Sequence, residues 1–296
     1  MVEAAFAHGG RDGHRGLHMD CRVLGPLDVR CGGVRGDLTA PKPRKVLALL
    51  LVHANRVVSV DSLTTELWDD EPPASALTTL QTYILQIRRM LARVCGLDPA
   101  QVARELLVTH ADGYQLRLDG ARLDLHEYER LADQGRLALL CGDHAHASRL
   151  LTAALDVWQG TALVDVRLGP VLRVEAARLE EARLTTWKQR IDADLGLGRH
   201  REILGELGCL AARHPLHEDL QAQYMIALYR AGRRTDALDA YRRLRDVLIS
   251  ELGLEPARRI QRVQHAILTG DPVLDTASAL DTAWTYEPTA ELVPAA

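Results

Sequence analysis

The chain holds one phenylalanine in 296 residues and is only 4% aromatic, so its core has to be built from aliphatic side chains, a composition that leans towards helix. It also has no paired cysteines. Cys21, Cys31, Cys95, Cys141 and Cys209 are odd in number, scattered, and form no CxxC, which argues against a disulfide framework or a zinc site and fits a reduced cytoplasm. No apolar run reaches the ~18 residues of a membrane helix. The opening stretch, rich in Gly, His and Arg, lacks the apolar centre of a signal peptide. There is no GxxxxGK[ST] phosphate loop, no HExxH and no GxSxG. His144 and His146 in GDHAHAS form a helix-start pair, ordinarily solvent-facing polarity rather than a metal site. Neither an enzyme nor a cofactor is expected. A formal net charge of -4 supplies no global field to draw the chain onto nucleic acid, so any such binding must come from a local patch.

With 47% hydrophobic and 26% charged residues the chain is globular, and its length fits two domains. From Cys21 the alternation in CRVLGPLDVRCGG predicts short strands over about 21–30 and 34–39. A helix follows from Pro43, with Val46, Leu47, Leu50 and Leu51 apolar enough for deep burial, ending near Asn55. Ser59 is an acceptable N-cap for a second helix running to Trp68. The loop DDEPPAS, with two prolines, breaks it. A third helix over Ala74–Val94 is succeeded by two β-rich runs, LLVT and YQLRL, about a turn in which Gly113 is placed to take a positive φ. Strands, three helices and a terminal hairpin over 21–119 make a winged helix-turn-helix, whose third helix enters the major groove while the wing touches the adjoining backbone.

The third helix carries the functional signal. Leu80, Ile84, Ile87, Leu91 and Val94 recur every three or four positions and form one buried stripe. The opposite face shows Thr78, Thr82, Gln86, Arg89 and Arg93, and no Asp or Glu occurs from Ser75 to Gly96. An ordinary amphipathic surface helix shares the stripe, and charge-poor composition alone does not exclude it; the neighbouring strands, helices and hairpin decide between the two readings. Gln and Arg make paired hydrogen bonds to base edges, and Thr and Arg contact phosphates. Thr79, Gln81, Thr82, Gln86 and Arg89 are therefore candidates for base or groove-edge contact, and Thr78 for DNA contact. Arg88, Arg93, Lys42, Arg44 and Lys45 are candidates for phosphate, and His110 or Tyr114 on the wing for the DNA backbone. Glu66, Asp69, Asp70 and Glu71 crowd the turn before this helix. That acidic loop cannot lie against phosphates and points to a protein partner or to solvent.

From Leu123 to Leu268 the chain reads as consecutive helices with Gly-containing turns. GDHAHASRLLTAALDVW, GRHREILGELGCLAARHP and GRRTDALDAYRRLRDVL form a weak repeat, and Gly198 and Gly232 stand 34 residues apart, the tetratricopeptide period. Ala237, Ala240 and Tyr241 occupy small-and-aromatic packing positions, and His214-Pro215 closes one unit before the paired helix Leu216–Arg230. A long charged helix over 171–196 has Val174, Ala177, Leu184, Trp187 and Ile191 as its expected buried positions. Residues 1–20 are expected to be a disordered extension, in which Met19 is an alternative start. Residues 271–296 are expected to be a disordered Ala-, Thr- and Pro-rich tail in which Trp284 and Tyr286 are available for docking.

The stretch LDVRCGG…APKPRKVLALLLVHANRVVSVDSLTTELWDDEPPASALTTLQTYILQIRRML resembles the DNA-binding half of the Streptomyces antibiotic regulatory proteins, the SARP family, whose winged helix is similar to that of OmpR-type regulators. YRRLRDVLISELGLEPARRIQRVQHAIL resembles the end of the family's second domain, the bacterial transcriptional activation domain, placed here over residues 120–270. The implied fold is mainly α with a small β component, an N-terminal winged helix followed by an all-α tetratricopeptide-like domain. The resemblance implies a cytoplasmic, nucleoid-associated activator that binds direct repeats beside a promoter as side-by-side protomers and recruits RNA polymerase holoenzyme. Its targets would be genes of a secondary-metabolite cluster. Asp69, Asp70 and Glu71 then become candidate contacts to the sigma factor. The competing reading is a tetratricopeptide-like interaction scaffold or a ligand-sensing regulator.

Overall fold

The computed structural model describes residues 19–275. The expected extension through residue 18 and the tail from 276, Trp284 and Tyr286 included, lie outside the described residues. Met19 and Asp20, expected in that extension, instead open the first strand, because the alternation of inward and outward side chains starts at Met19, which is 2% exposed.

The described chain forms two compact units, one of residues up to 129 together with 156–181, the other of 130–155 and 182 onward. In the first unit, β1 (Met19–Arg22), β2 (Asp28–Cys31), β3 (Val34–Arg35) and β7 (Arg122–Leu123) form a sheet in the order β3-β2-β1-β7, with β7 parallel to β1. The helices are α1 (Pro41–Val52), α2 (Val60–Trp68) and α3 (Ala76–Cys95). A second sheet, antiparallel in the order β4-β6-β5, joins β4 (Val57–Ser59), β5 (Leu107–Thr109) and β6 (Gly113–Leu116). β4 closes the wing against the entry to α2 and was not anticipated, since three residues are too few for alternation to register. The short helix α4 (Pro99–Gln101) and a single π-turn, Val102–Leu106, also escaped the periodicity reading. Their start had a signal in Asp98-Pro99, where the Asp98 carboxylate caps Ala100 N–H at 3.1 Å.

The three helices form for the expected reasons. α1 starts with Pro41 at its first position, and every residue from Val46 to Val52 is buried because α2, α3 and β6 pack round it. It ends three residues before the expected place, at Val52, and Asn55 takes a left-handed φ of 66°. Ser59 caps α2 by accepting from Ser62 N–H at 3.0 Å. In α3 the five stripe residues Leu80, Ile84, Ile87, Leu91 and Val94 are all at most 5% exposed.

Gly113 corrects a reason. It does not need a positive φ; it needs to be small, because a Cβ there would lie 2.1 Å from the Val58 carbonyl oxygen across the β4-β6 pair.

The remaining helices are α5 (Asp124–Leu140), α6 (His144–Asp156), α7 (Pro170–Gly196), α8 (His200–Arg213), α9 (Glu218–Arg230), α10 (Arg234–Leu252) and α11 (Arg258–Thr269). In the second unit α9 packs against α8, α10 and α11, and Ala237, Ala240 and Tyr241 are buried as their spacing predicts. Gly198 and Gly232, the repeat's opening residues, take φ of 73° and 78°, the left-handed turn that lets one helix stop and its partner begin. Buried Asp194 accepts from the Ser148 hydroxyl at 2.7 Å and lies 3.6 Å from both Arg190 and Arg199. On α7 the expected phase is wrong in its first half: Val174 is 69% exposed and Ala177 is exposed, while Leu172, Ala176 and Leu179 point inward. The first turns of α7 pack into the first unit and its later turns into the second, so no single stripe fits the whole helix.

Candidate nucleic-acid interface

The outward face of α3 is polar along most of its length. Thr78, Gln81, Thr82, Gln86, Arg89 and Arg93 are all exposed, Thr79 is half-buried, and no carboxylate interrupts them. Thr82 donates its hydroxyl to the Thr78 carbonyl at 3.0 Å, which leaves the oxygen's lone pairs outward. Two apolar side chains that the polar reading passed over share this face, Leu77 (59% exposed) and Leu85 (45% exposed). Leu85 had its signal in the helical phase itself, since positions 78, 81, 82, 85 and 89 lie along one side of a helix, and Leu77 stands at the margin of that side. In a major groove such side chains meet thymine methyl groups.

The other expected contacts divide by environment. Lys42, at the start of α1, is exposed, with its ammonium 5.0 Å from the centre of the Trp68 ring. His110 is partly buried and its Nε2 lies 2.9 Å from Gln115 Oε1 on the neighbouring strand. Arg44 is turned to Asp165 at 2.6 Å and to the Leu38 carbonyl at 3.4 Å. Lys45 donates to the Glu66 carbonyl at 3.2 Å and is 3.9 Å from its carboxylate. Arg88 donates from Nε and Nη2 to the Leu107 carbonyl at 3.0 and 2.7 Å and from Nη2 to Thr109 Oγ1 at 2.8 Å, so it braces α3 against the wing. Burial pushes its pKa below the ordinary guanidinium value. Tyr114 is a correction: it is 8% exposed, since β6 turns Tyr114 and Leu116 inward and Gln115 outward, and its ring is no wing contact.

Glu66 is the second correction. It is not part of the acidic surface but 1% exposed, accepting from the Gly169 N–H at 2.5 Å and the Leu172 N–H at 2.8 Å. It thereby satisfies amide donors at the start of α7, where a carboxylate also complements the helix dipole. Gly169 must be glycine for this approach, because a Cβ would sit 2.1 Å from the Glu66 carbonyl oxygen. Asp69, Asp70 and Glu71 remain, all exposed on the turn between α2 and α3, with Asp69 at a φ of 59° that reverses the chain.

Among the described residues no group of three or more His, Cys, Asp or Glu is placed to hold a metal, and no helix is long and apolar enough to cross a membrane.

Comparisons with known proteins identify the family of both halves of the chain. The family described as "Transcriptional regulatory protein, C terminal" matches residues 37–116, and the bacterial transcriptional activator domain matches residues 123–268. Regulatory protein DnrI of Streptomyces peucetius is 48% identical over 257 residues, covering 87% of this chain and 94% of that protein. Regulatory protein AfsR of Streptomyces coelicolor is 39% identical over 258 residues, 87% of this chain but 25% of that longer protein. Among solved structures, Mycobacterium tuberculosis EmbR superposes with a TM-score of 0.82 at 32% identity, over 90% of this chain and 69% of that one. These relatives are named as regulators, not as enzymes.

Proposed function

The chain belongs to the SARP family of transcriptional activators, and on that footing we propose that it reads direct repeats at a promoter through α3 and recruits RNA polymerase holoenzyme there. The observation that carries the reading is the outward face of α3. Six polar side chains are exposed along it with no acid among them, on a helix whose other side is held at most 5% exposed at every stripe position. Gln81, Gln86 and Arg89 would read base edges, Leu77 and Leu85 would meet thymine methyls, and Thr78, Arg93 and Lys42 would hold phosphates. Protomers on direct repeats sit head to tail, so half-sites about one helical turn apart place successive α3 helices on the same side of the duplex. The exposed Asp69, Asp70 and Glu71 would then face the sigma factor, and the regulated genes would belong to a secondary-metabolite cluster.

The test is a gel shift with the full chain on duplexes from upstream of neighbouring biosynthetic genes, across a salt series. Preferential binding to a direct repeat, steep loss with salt, and a specific-complex penalty of about 1–3 kcal/mol for Arg89→Ala support the reading. Equal affinity for random and promoter DNA at physiological salt rejects it. In reconstituted transcription, neutralising Asp69, Asp70 and Glu71 should leave the shift intact and abolish stimulation of the holoenzyme.

A further inference from the structure

Beside Gln86 on α3 opens a cleft of about 630 Å³ whose walls come from the start of α1, the end of α2, α3, and Arg167. Arg167 lies outside the stretch that forms the winged helix. Its segment is nevertheless fixed to that stretch on both sides. Two residues before it, Asp165 accepts from Leu27 N–H at 2.8 Å and pairs with Arg44 at 2.6 Å. Two residues after it, Gly169 donates to Glu66. Val166, next to Arg167, is 7% exposed, and the Leu163 N–H is tied to the Val23 carbonyl at 3.0 Å. The backbone at Arg167 is thus held from neighbours in both directions while its side chain is exposed into the cleft.

The charge balance of the cleft is one-sided. Lys42 and Arg167 are exposed on its walls, and no carboxylate lines it. Two acids near its lining residues in sequence are already engaged, Asp165 by Arg44 and Leu27, and Glu66 by Lys45 and the backbone of α7. Neither Lys42 nor Arg167 has an ion-pair partner among the described residues. Two unpaired cations converging beside neutral Gln86 and Tyr83 are suited to a singly charged phosphodiester, which an Arg fork and a Lys ammonium bind together.

We propose that this cleft takes a backbone phosphate of the duplex that α3 reads, and that Arg167 is a DNA contact donated from the activation-domain side of the sequence. The inference rests on the DNA-reading role of α3 and adds to it a phosphate site that the winged helix alone does not complete. Phosphate contacts carry no sequence preference, so Arg167 sets affinity and register, while Gln86, on the α3 wall of the cleft, belongs to base reading.

The experiment uses the full chain and titrates direct-repeat and random duplexes across salt for wild type, Arg167→Gln and Arg167→Lys, with thermal melts to confirm folding of these surface variants. The expected result is a uniform loss of about 5- to 10-fold on both duplexes for Arg167→Gln, an unchanged preference between them, and a salt slope smaller by about one. Arg167→Lys should retain most of that slope. If wild type binds the repeat and Arg167→Gln matches it in affinity and slope, the inference fails while the activator reading stands. If Arg167→Gln binds DNA normally but no longer stimulates the holoenzyme, the cleft receives an acidic segment of polymerase instead, which also overturns it. If wild type prefers no duplex, both the activator reading and this site fall.

Discussion

Glu66 shows how one side chain can be misjudged from its neighbours. It stands three residues before an acidic turn, yet it is 1% exposed and serves two amides more than a hundred positions away. Removing its carboxylate would leave the Gly169 and Leu172 N–H groups buried without an acceptor and would take the counter-charge from Lys45, which keeps only its bond to the Glu66 carbonyl. Glu66→Ala should therefore lower unfolding stability by about 3–5 kcal/mol in urea denaturation, and Glu66→Gln by less, since its amide oxygen still accepts one bond. The sulfur groups give a second residue-level expectation. Burial pushes the Cys95 thiol up to about 12 and raises Cys21 further, while Cys141 and Cys209 are exposed. Alkylation at pH 8 should label Cys141 and Cys209 fast and spare Cys21 and Cys95 until the chain unfolds. Because the folded state keeps these two thiols protonated beyond the ordinary value of 9.0, the unfolded chain loses its protons first as pH rises. Stability should then fall from about pH 9 upward, and a Cys21→Ala, Cys95→Ala double variant should show a shallower decline of urea midpoint with pH.

Within α3, two adjacent arginines have opposite tasks. Arg88 spends three hydrogen bonds on β5, whereas Arg89 faces solvent. Arg88→Ala should cost about 1.5–3 kcal/mol of stability, measured by thermal melt, because a charged brace to the wing is lost. Arg89→Ala should leave the melt unchanged and weaken only specific DNA binding. This contrast also marks what was legible in the sequence. Period 3.6 separated the inward stripe of α3 from its outward face, because every stripe residue serves one local core. The same periodicity assigned Arg88 to phosphate, since a guanidinium at the edge of the stripe is long enough to turn either way, and the strand it reaches lies 19 residues downstream. On α7 it placed Val174 inward for a comparable reason: a helix serving two cores in succession has no single phase. Tyr114 and Gly113 failed on strand grounds. Four residues of β6 between two partners fix which side chains turn inward and where only hydrogen fits, and neither partner's register is written in β6 itself.

For the molecule as a whole, the unit that carries α3 is discontinuous in sequence. The winged-helix match spans 37–116, but residues 156–181 fold into the same unit. The turn after β1 depends on chain beyond residue 119: Asp124 accepts from Val23 and Leu24 N–H at 2.9 Å, Gln159 N–H donates to the Leu24 carbonyl at 2.8 Å, and Asp165 accepts from Leu27. β1 also pairs with β7. A fragment ending at residue 119 would expose Val23, Leu24 and Leu27, now at most 3% exposed, and would leave Glu66 without its amides. Re-exposing three such side chains costs about 1.5–3 kcal/mol each. Their sum is on the order of the whole stability of a small domain. Residues 19–119 alone should accordingly melt more than about 10 °C below the full chain by circular dichroism. They should also bind DNA more weakly than the full chain even at temperatures where both are folded, since Arg167 is missing. An equal melting temperature would make residues 156–181 a passenger on the winged helix, and the Glu66 cap and the fixed backbone at Arg167 would lose their energetic basis together.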